Sequence, residues 1–416
     1  QETEKEHEDI LEQADETDAV FGELYSWYLR NPEYRSRVQK LVQSAFAGKP
    51  KDIISQSVAK ALYGEVSPYS ATRLERFAAC AFAHFLQYGM KLTERVEYEF
   101  KPMDMGNVMH EALESFAEEV RKRGMKWTEL TEQERNEIAD RCLDNIVADY
   151  GNTVLKSSAR NEYMIERTRR ILRRTVWALQ KQLEQGEFQP EGFEVTFGGG
   201  RIDRVDIMED QNKVYVKVID YKTGNTSFDL VYLYHGLQLQ LMIYLDGALR
   251  VEQKKYPDKE IIPAGVFYYN IKDPMIQEKI DADVEAVSAG LMKELKMNGL
   301  VQADPELVYR MDSSLGSIPV AFNKDGSFRK NSSVADRTQF AVLGRYVRTK
   351  IEKIRSSILE GDAEVSPYEL GKKNACTYCP YMTVCGFDRR LSGYEFRRLK
   401  NFSDEELWKA FDREAE

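Results

Sequence analysis

Several features are scarce in this chain of 416 residues, and each scarcity excludes a class of protein. Five cysteines are too few for a disulfide framework, and without a secretion signal they are more typical of a metal or cluster site. No stretch is apolar for long enough to span a membrane, so we expect no membrane contact. The Gly-x4-Gly-Lys-[Ser/Thr] phosphate loop is missing, which predicts that the chain hydrolyses no ATP. Four histidines leave little room for a Ser-His-Asp or Cys-His catalytic group.

The composition is typical of a globular chain with a sizeable core. Hydrophobic residues make up 42% and charged residues 31% of it, and the length suffices for two or three domains. The net charge of −10 does not favour nucleic acid, although binding depends on a local basic surface rather than on total charge. Predicted helices surround a central group of strands, which gives the fold class α/β. We expect a helical segment over 1–66, a main domain over 67–400 and a helical tail over 401–416.

Two predicted strands near the middle of the chain carry the most informative residues. Residues 200–207 and 214–222 are rich in β-branched side chains, and the polar segment between them predicts a hairpin turn. Side chains alternate along a strand, so Asp220 and Lys222 share a face, and strand pairing brings Asp203 close to them. Two close carboxylates repel each other unless a cation lies between them, and they are typical Mg²⁺ ligands. A salt bridge on a surface hairpin is the alternative interpretation.

Two predicted helices carry polar residues that would complete such a site. His110 lies off the apolar stripe of a helix over 106–124, where it either faces a cleft and binds a metal or is solvated. Gln240 and Tyr244 share one face of a helix predicted over 229–250. They either hydrogen-bond a phosphate and orient the lysine, or form the polar edge of a buried helix.

Two further patterns predict local structure. The segment Thr72-Arg73-Leu74-Glu75 has the spacing of a capping box that opens a helix running through Cys80 and Phe85. The segment 306–330 is predicted to be rich in β-structure.

Four of the cysteines predict a shared metal site. Cys376, Cys379 and Cys385 form a compact Cys-x2-Cys-x5-Cys set, and Cys80 is the best candidate for a fourth ligand. Such a site would join the two ends of a domain and limit its unfolded chain. Spacing alone leaves zinc and an iron–sulfur cluster equally open. Cys142, on an apolar helix face, is predicted to be a buried free thiol.

One predicted helix carries a dense run of arginines suited to a phosphate backbone. Arg170, Arg173 and Arg174 share a face of this helix, and Arg73 on an earlier helix is predicted to contribute to DNA binding. The alternative is a solvated helix face whose arginines pair with neighbouring glutamates.

The order of these residues resembles that of a known family. His110, Asp203, Asp220-x-Lys222 and Gln240-x3-Tyr244 follow the pattern of the RecB-family nucleases, which are members of the PD-(D/E)xK superfamily. One cysteine before this core and three after it resemble the iron–sulfur nucleases of that family. The stretches 70–77, 200–206 and 375–381 are similar to nuclease subunits of bacterial helicase–nuclease complexes, and the likeness covers about residues 60–400. The family usually has proline where this chain has Ala81.

The resemblance implies a nuclease core in which a mixed sheet is flanked by helices and closed by an iron–sulfur clasp. It implies that Mg²⁺, or Ca²⁺ or Mn²⁺ in the same site, binds His110, Asp203, Asp220 and the carbonyl group of Tyr221. Lys222 would then act on the attacking water, with Gln240 and Tyr244 beside it. The [4Fe–4S] ligands would be Cys80, Cys376, Cys379 and Cys385. Residues 1–66 would be the end of a helicase-like region.

The activity that the resemblance implies is Mg²⁺-dependent exonuclease or endonuclease cleavage of DNA. The substrate would be a single strand delivered by a partner helicase–nuclease subunit in a heterodimer, during resection of double-strand breaks and recombinational repair in the bacterial cytoplasm. One alternative is a free-standing CRISPR-associated exonuclease of the same superfamily. The other is a non-catalytic iron–sulfur scaffold that guides DNA.

Overall fold

The computed structural model describes residues 19–45, 53–64, 70–93, 102–149, 158–198, 200–275, 283–391 and 393–415. The chain divides into a smaller unit, Gln1–Asp52 with Gly386–Glu395, and a larger unit, Ile53–Cys385 with Phe396–Glu416. Within the described ranges, no helix combines the length and the apolar character that crossing a membrane requires.

The smaller unit contains two consecutive helices, α1 over residues 19–30 and α2 over Pro32–Ala45. The rings of Trp27, Tyr28 and Tyr34 pack together where the two helices meet, and the centroids of Trp27 and Tyr28 lie 5.0 Å apart. Ring contacts of this kind favour one angle between the helices. In the predicted helical segment 1–66, residues 19–30 and 32–45 are helical, and residues 1–18, 46–52 and 65–66 lie outside the described ones.

The larger unit is built on a six-stranded sheet. Its strands are β1 (Gln189–Phe197), β2 (Gly200–Asp210), β3 (Lys213–Lys222), β4 (Glu260–Asn270), β5 (Asn298–Gln302) and β6 (Val334–Ala335). They lie side by side in chain order, and the pairs β3–β4 and β5–β6 are parallel while the others are antiparallel. The mixed sheet predicted for this fold class is therefore confirmed.

Helices precede, connect and follow these strands. They are α3 (Gln56–Tyr63), α4 (Ala71–Ala79), α5 (Ala81–His84), α6 (Pro102–Lys122), α7 (Glu132–Asp149), α8 (Ala159–Glu184), α9 (Leu230–Tyr234), α10 (Gln240–Lys255), α11 (Val284–Glu294), α12 (Pro305–Met311), α13 (Arg337–Glu360), α14 (Met382–Cys385) and α15 (Asp404–Ala415). A second, three-stranded sheet follows α13 and consists of β7 (Tyr368–Leu370), β8 (Lys373–Asn374) and β9 (Arg397–Arg398).

The two faces of the large sheet bury two separate apolar cores. Ile219 and Tyr221 of β3 pack with α6, α7 and α8, whereas Val216 and Val218 pack with α4, α10, α13 and α15. This division follows from the alternation of side chains along a strand. Each fully buried aliphatic side chain contributes about 1.5–3 kcal/mol. A polar residue that ends such a strand is consequently held in a rigid place.

The prediction of one helix over 229–250 is wrong in one respect, because the structure has two helices there, α9 and α10. Asp229 caps α9 by accepting hydrogen bonds from the N–H groups of Val231 and Tyr232. Gly236 follows with a φ of 78°, a left-handed conformation that glycine adopts without strain. After this break, α10 begins as a separate helix at Gln240.

Two other predictions of local structure are wrong. The segment 306–330 holds α12 and a long connection, with one isolated bridge between Phe322 and Phe328 rather than a β-rich region. The helix that contains Glu75 is capped by Ser70, whose Oγ accepts a hydrogen bond from Arg73 N at 3.4 Å, so Thr72 and Glu75 form no capping box. This helix ends at Ala79 because the backbone is extended at the next residue.

Candidate active site

The hairpin of β2 and β3 places two buried carboxylates side by side. Arg204 pairs with Ile219, so Asp203 and Asp220 occupy the next position along the two strands. Asp203 Oδ2 accepts a hydrogen bond of 2.7 Å from the backbone N–H of Tyr221, which fixes this carboxylate at the strand end. Asp203 is 8% exposed and Asp220 is 1% exposed. The predicted closeness of the two acids is thus confirmed.

Helix α6 brings His110 against this pair. Its Nε2 lies 3.1 Å from the carbonyl oxygen of Tyr221, and its Nδ1 lies 3.4 Å from Asp203 Oδ2. The apolar stripe of the helix, with Val108 and Met109 buried, packs into the core and leaves the histidine at its edge. Both ring nitrogens of His110 therefore have polar neighbours within the site, which differs from the interpretation of a simply solvated helix histidine.

Glu194 is a further acid that the sequence did not reveal. Its Oε1 lies 3.8 Å from His110 Nδ1, and its side chain is 6% exposed. The residue has a φ of 49° and lies between Phe193 and Val195, which pair with Arg204 and Ile202 of β2. A non-glycine residue in this conformation is strained and is often found at functional sites. Arg201 forms an ion pair with the other oxygen of Glu194.

The charges in this cluster raise two pKa values. Burial raises the pKa of Asp220, and the neighbouring Asp203 raises it further, to about 7. For His110, burial lowers the pKa, but the neighbouring carboxylates of Asp203 and Glu194 outweigh burial and raise it to about 10. The acids of the cluster therefore favour positive charge beside them, which protons supply on their own and which a divalent cation could supply instead.

The donor atoms of the cluster suit a divalent cation. One ligand atom each from His110, Glu194 and Asp203 lie within 4.8 Å of one another. The carbonyl oxygen of Tyr221 lies beside them. Carboxylate and carbonyl oxygens are the ligands that Mg²⁺, Mn²⁺ and Ca²⁺ prefer, and His110 adds one imidazole nitrogen. The residues present therefore fit the divalent ion that the resemblance implies.

Gln240 joins the lysine of this site to the second carboxylate. Its Oε1 accepts a hydrogen bond of 2.8 Å from Lys222 Nζ, and its Nε2 donates to Asp220 Oδ1 at 2.8 Å and to the Tyr244 hydroxyl at 2.9 Å. Lys222 Nζ also lies 2.6 Å from Asp220 Oδ2. A single amide therefore fixes the positions of the lysine, the carboxylate and Tyr244. The expected same-face placement of Asp220 and Lys222 is confirmed.

The four predicted cysteine ligands lie close together in the structure, although Cys80 is far from the other three in sequence. Burial raises the pKa of Cys376 to about 11, and the nearby thiols of Cys80, Cys379 and Cys385 raise it as well. Burial likewise raises the pKa of Cys80, whereas the backbone N–H groups of Ala83, Ser366 and Phe82, directed at its sulfur, oppose that rise. Amides directed at sulfur stabilise a thiolate, which is the form that binds metal.

The cysteines are present as free thiols. All five cysteines, including the buried Cys142, are free of disulfide bonds. A set of four thiols is a donor set that either a zinc ion or an iron–sulfur cluster can use.

The predicted DNA-binding arginines are held by protein partners. Arg170 Nε lies 2.6 Å from Asp273 Oδ2, Arg173 Nε donates to Asp140 at 2.8 Å, and the Arg174 guanidinium lies over the ring of Trp177. Arg73 Nε donates to His84 Nε2 at 3.2 Å, and its guanidinium lies over the rings of Tyr63 and Tyr88. The role of these arginines in DNA binding stays a prediction.

The fold and the cluster of acids beside a lysine define a nuclease of the PD-(D/E)XK type. Residues 68–386 match the model of the PD-(D/E)XK nuclease superfamily, and the chain belongs to this superfamily. It is similar to the B subunit of the ATP-dependent helicase/deoxyribonuclease of Lachnoclostridium phytofermentans, with 41% identity over 95% of this chain and 36% of the relative. The B subunit from Clostridium acetobutylicum is 33% identical over 96% of this chain and 36% of the relative.

A third relative of the same name, from a Thermoanaerobacter species, is 34% identical over 96% of this chain and 37% of its own length. The expected resemblance to the nuclease region of the AddB type of subunit is thereby confirmed. The chain spans a little over a third of the length of these relatives.

Proposed function

We propose that this chain hydrolyses DNA phosphodiester bonds in a reaction that depends on Mg²⁺. The observation that carries the proposal is the group of His110, Glu194 and Asp203 beside Asp220, with Lys222 held at its edge. The relatives are named as deoxyribonuclease subunits, which supports DNA as the substrate. A scaffold that only guides DNA has no need to bury several acids at one point.

Each side chain has a distinct part in the proposed reaction. His110, Asp203, Asp220 and the Tyr221 carbonyl would bind the ion, and Glu194 would orient the imidazole or act as a further ligand. The bound ion would lower the pKa of a water molecule and stabilise negative charge on the phosphate. Lys222 would direct its ammonium group to the attacking water or to a phosphate oxygen. Gln240 accepts a hydrogen bond from Lys222 and donates one to the Tyr244 hydroxyl, and it would hold the lysine in place for that role.

We propose that the substrate is a single strand that a partner helicase delivers. The names of the relatives describe one subunit of a helicase/deoxyribonuclease, which supports a heterodimer with an AddA-like helicase–nuclease subunit. Such a complex would resect double-strand breaks for recombinational repair, in the bacterial cytoplasm where the chromosome lies. The same names do not favour a free-standing CRISPR-associated exonuclease.

Asp220→Asn tests the proposed activity. A labelled single-stranded DNA is incubated with Mg²⁺ and the protein, alone and with its partner. Since even residues that support metal ligands change activity about 10–100-fold, we expect at least a 100-fold loss of cleavage rate. Asp246→Asn, an acid on α10 that pairs with Arg250 and Arg348, is the matched control and should keep the rate. No cleavage by the unaltered protein in either setting would favour the scaffold.

We further propose that Cys80, Cys376, Cys379 and Cys385 hold a [4Fe–4S] cluster as a structural clasp. The convergence of these four thiols from distant parts of the chain supports it. Protein purified without oxygen should show visible absorbance and contain about four irons per chain. Cys379→Ser should lose both, whereas Cys142→Ser should keep them. A colourless protein with one zinc per chain would refute this assignment.

A further inference from the structure

The first turn of α10 lacks a capping side chain from its own segment. The residue that precedes the helix, Leu239, is already in the helical conformation and makes no side-chain cap bond. The first N–H groups of any helix have no acceptor within the helix and need one from elsewhere. Here that need matters for the candidate active site, because Gln240 is the first residue of the helix.

Glu75 of α4 supplies the missing acceptor from 164 residues earlier in the chain. Its Oε1 accepts hydrogen bonds from Leu239 N at 2.7 Å and from Gln240 N at 2.9 Å. A carboxylate at this end also interacts favourably with the helix dipole. Burial raises the pKa of Glu75 to about 7, against the opposing effect of these two N–H groups. The protein therefore holds an acid in an unfavourable environment at this place.

The position of Gln240 determines the position of the catalytic lysine. The same residue whose backbone N–H is bound by Glu75 uses its side chain to hold Lys222, Asp220 and Tyr244. A shift of about 1 Å at a reacting group can cost 10²-fold in rate. If the first turn of α10 were poorly held, Gln240 would move, and Lys222 would move with it.

The helix that carries Glu75 is itself firmly held. Leu74 and Phe77 bury its apolar side in the core that α10 shares. Its N-terminus is capped by Ser70, and its C-terminus is followed directly by Cys80 of the cysteine group. One short helix thus contacts both the proposed metal clasp and the start of α10.

We propose that Glu75 is a positioning residue for the reaction, which acts by capping α10 and so fixing Gln240 and Lys222. The proposal rests on the proposed nuclease function. It gives Glu75 no contact with the substrate or with the reacting atoms. It predicts that the acceptor oxygen of this side chain, rather than its charge, is what the site requires.

Two measurements on three variants test this role. Amide hydrogen exchange of residues 239–241 reports the cap directly, and steady-state cleavage of single-stranded DNA with Mg²⁺ reports its effect. Glu75→Ala should speed exchange at least tenfold and lower kcat about 10- to 100-fold with little change in KM. Glu75→Gln keeps the acceptor and should stay within threefold of the unaltered protein in both. Glu75→Asp, which is one methylene shorter, should shift both measurements in the same direction as alanine.

Asp336→Ala is the matched control. Asp336 caps α13 through Gln339 N at 2.8 Å, so its loss removes a carboxylate cap of the same kind away from Gln240. It should leave exchange at residues 239–241 and kcat unchanged. Unaltered exchange or kcat in both Glu75→Ala and Glu75→Asp would overturn the proposal, as would a glutamine variant as impaired as alanine. If the alanine variant does not fold, the aspartate and glutamine variants decide the outcome. An unaltered protein that fails to cleave DNA would defeat the proposed function, yet the exchange comparison would still test the cap.

Discussion

Replacing Gln240 by leucine removes the amide that joins Lys222 to Asp220 while keeping a side chain of similar size. Two hydrogen bonds to charged groups disappear, each 2.8 Å long, and each is worth about 1.5–3 kcal/mol. The lysine side chain is 27% exposed and still contacts Asp220 directly, so water and that ion pair replace part of the loss. We therefore expect a net cost of about 1.5–3 kcal/mol. At 1.36 kcal/mol for each tenfold change, this corresponds to a decrease in kcat of roughly 10- to 150-fold.

Initial rates of cleavage of a labelled single-stranded DNA, at saturating substrate and Mg²⁺, measure the effect. Gln253→Leu is the control, because Gln253 lies exposed on the same helix and donates only weak bonds of 3.4 Å to Tyr256 and Lys259. The control should match the unaltered protein. The thermal unfolding midpoint of each variant shows whether a lower rate reflects the site or the fold.

The reasoning fails if Gln240→Leu keeps kcat within twofold of the unaltered protein while remaining folded. It also fails if the loss appears only in KM, because Gln240 touches the lysine and the carboxylate and is not expected to bind the substrate. A loss equal to that of Gln253→Leu would mean that the helix, not the amide, is responsible.

Two further changes test the core beneath the site. Asp206→Asn leaves Arg204 and Lys217 buried without their carboxylate, so the free energy of unfolding in urea should fall by about 3–5 kcal/mol. Burial raises the pKa of Asp206, but both cations outweigh burial and lower it. The stabilisation is therefore present above the unfolded pKa of about 3.9 and is lost as pH falls through the folded value, and the variant should lack this acid dependence. Gly299→Ala would press a Cβ against the Val266 carbonyl oxygen, so it should lower the unfolding midpoint measurably, whereas Gly344→Ala, in the helix α13 with open space around the added carbon, should not lower it.

The part of the site that lies on regular structure could be predicted from sequence. The alternation along β3 placed Asp220 and Lys222 on one face, and helical spacing placed Gln240 four residues before Tyr244. Both inferences need only the regular repeat of side-chain direction within a single strand or helix. The pairing of β2 with β3 then brings Asp203 to Asp220, since a hairpin with a short turn fixes the register.

Glu194 and Glu75 could not be predicted, for physical reasons. Glu194 has a left-handed backbone, and the register of its strand shifts earlier, between Pro190 and Gly192; a pattern of period two contains neither feature. Glu75 has the spacing of a capping box, but Ser70 already caps that helix, and the carboxylate caps another helix far along the chain. Spacing in the sequence shows which nearby groups a side chain can reach, whereas the tertiary fold determines which donor it binds.

Because Cys80 is far from its partner cysteines in sequence, a metal centre that needs all of them can form only late in the biosynthesis of the domain. Between Cys80 and Cys376 the ribosome must add 376 − 80 = 296 residues, which include the whole six-stranded sheet. At about 5–20 residues per second, roughly 15–60 s pass before the second thiol is made. Any metal centre that needs all four sulfurs must therefore be inserted into a nearly finished domain. Insertion of the metal centre would then be the last step of maturation, and its timing would depend on the cell's supply of that metal.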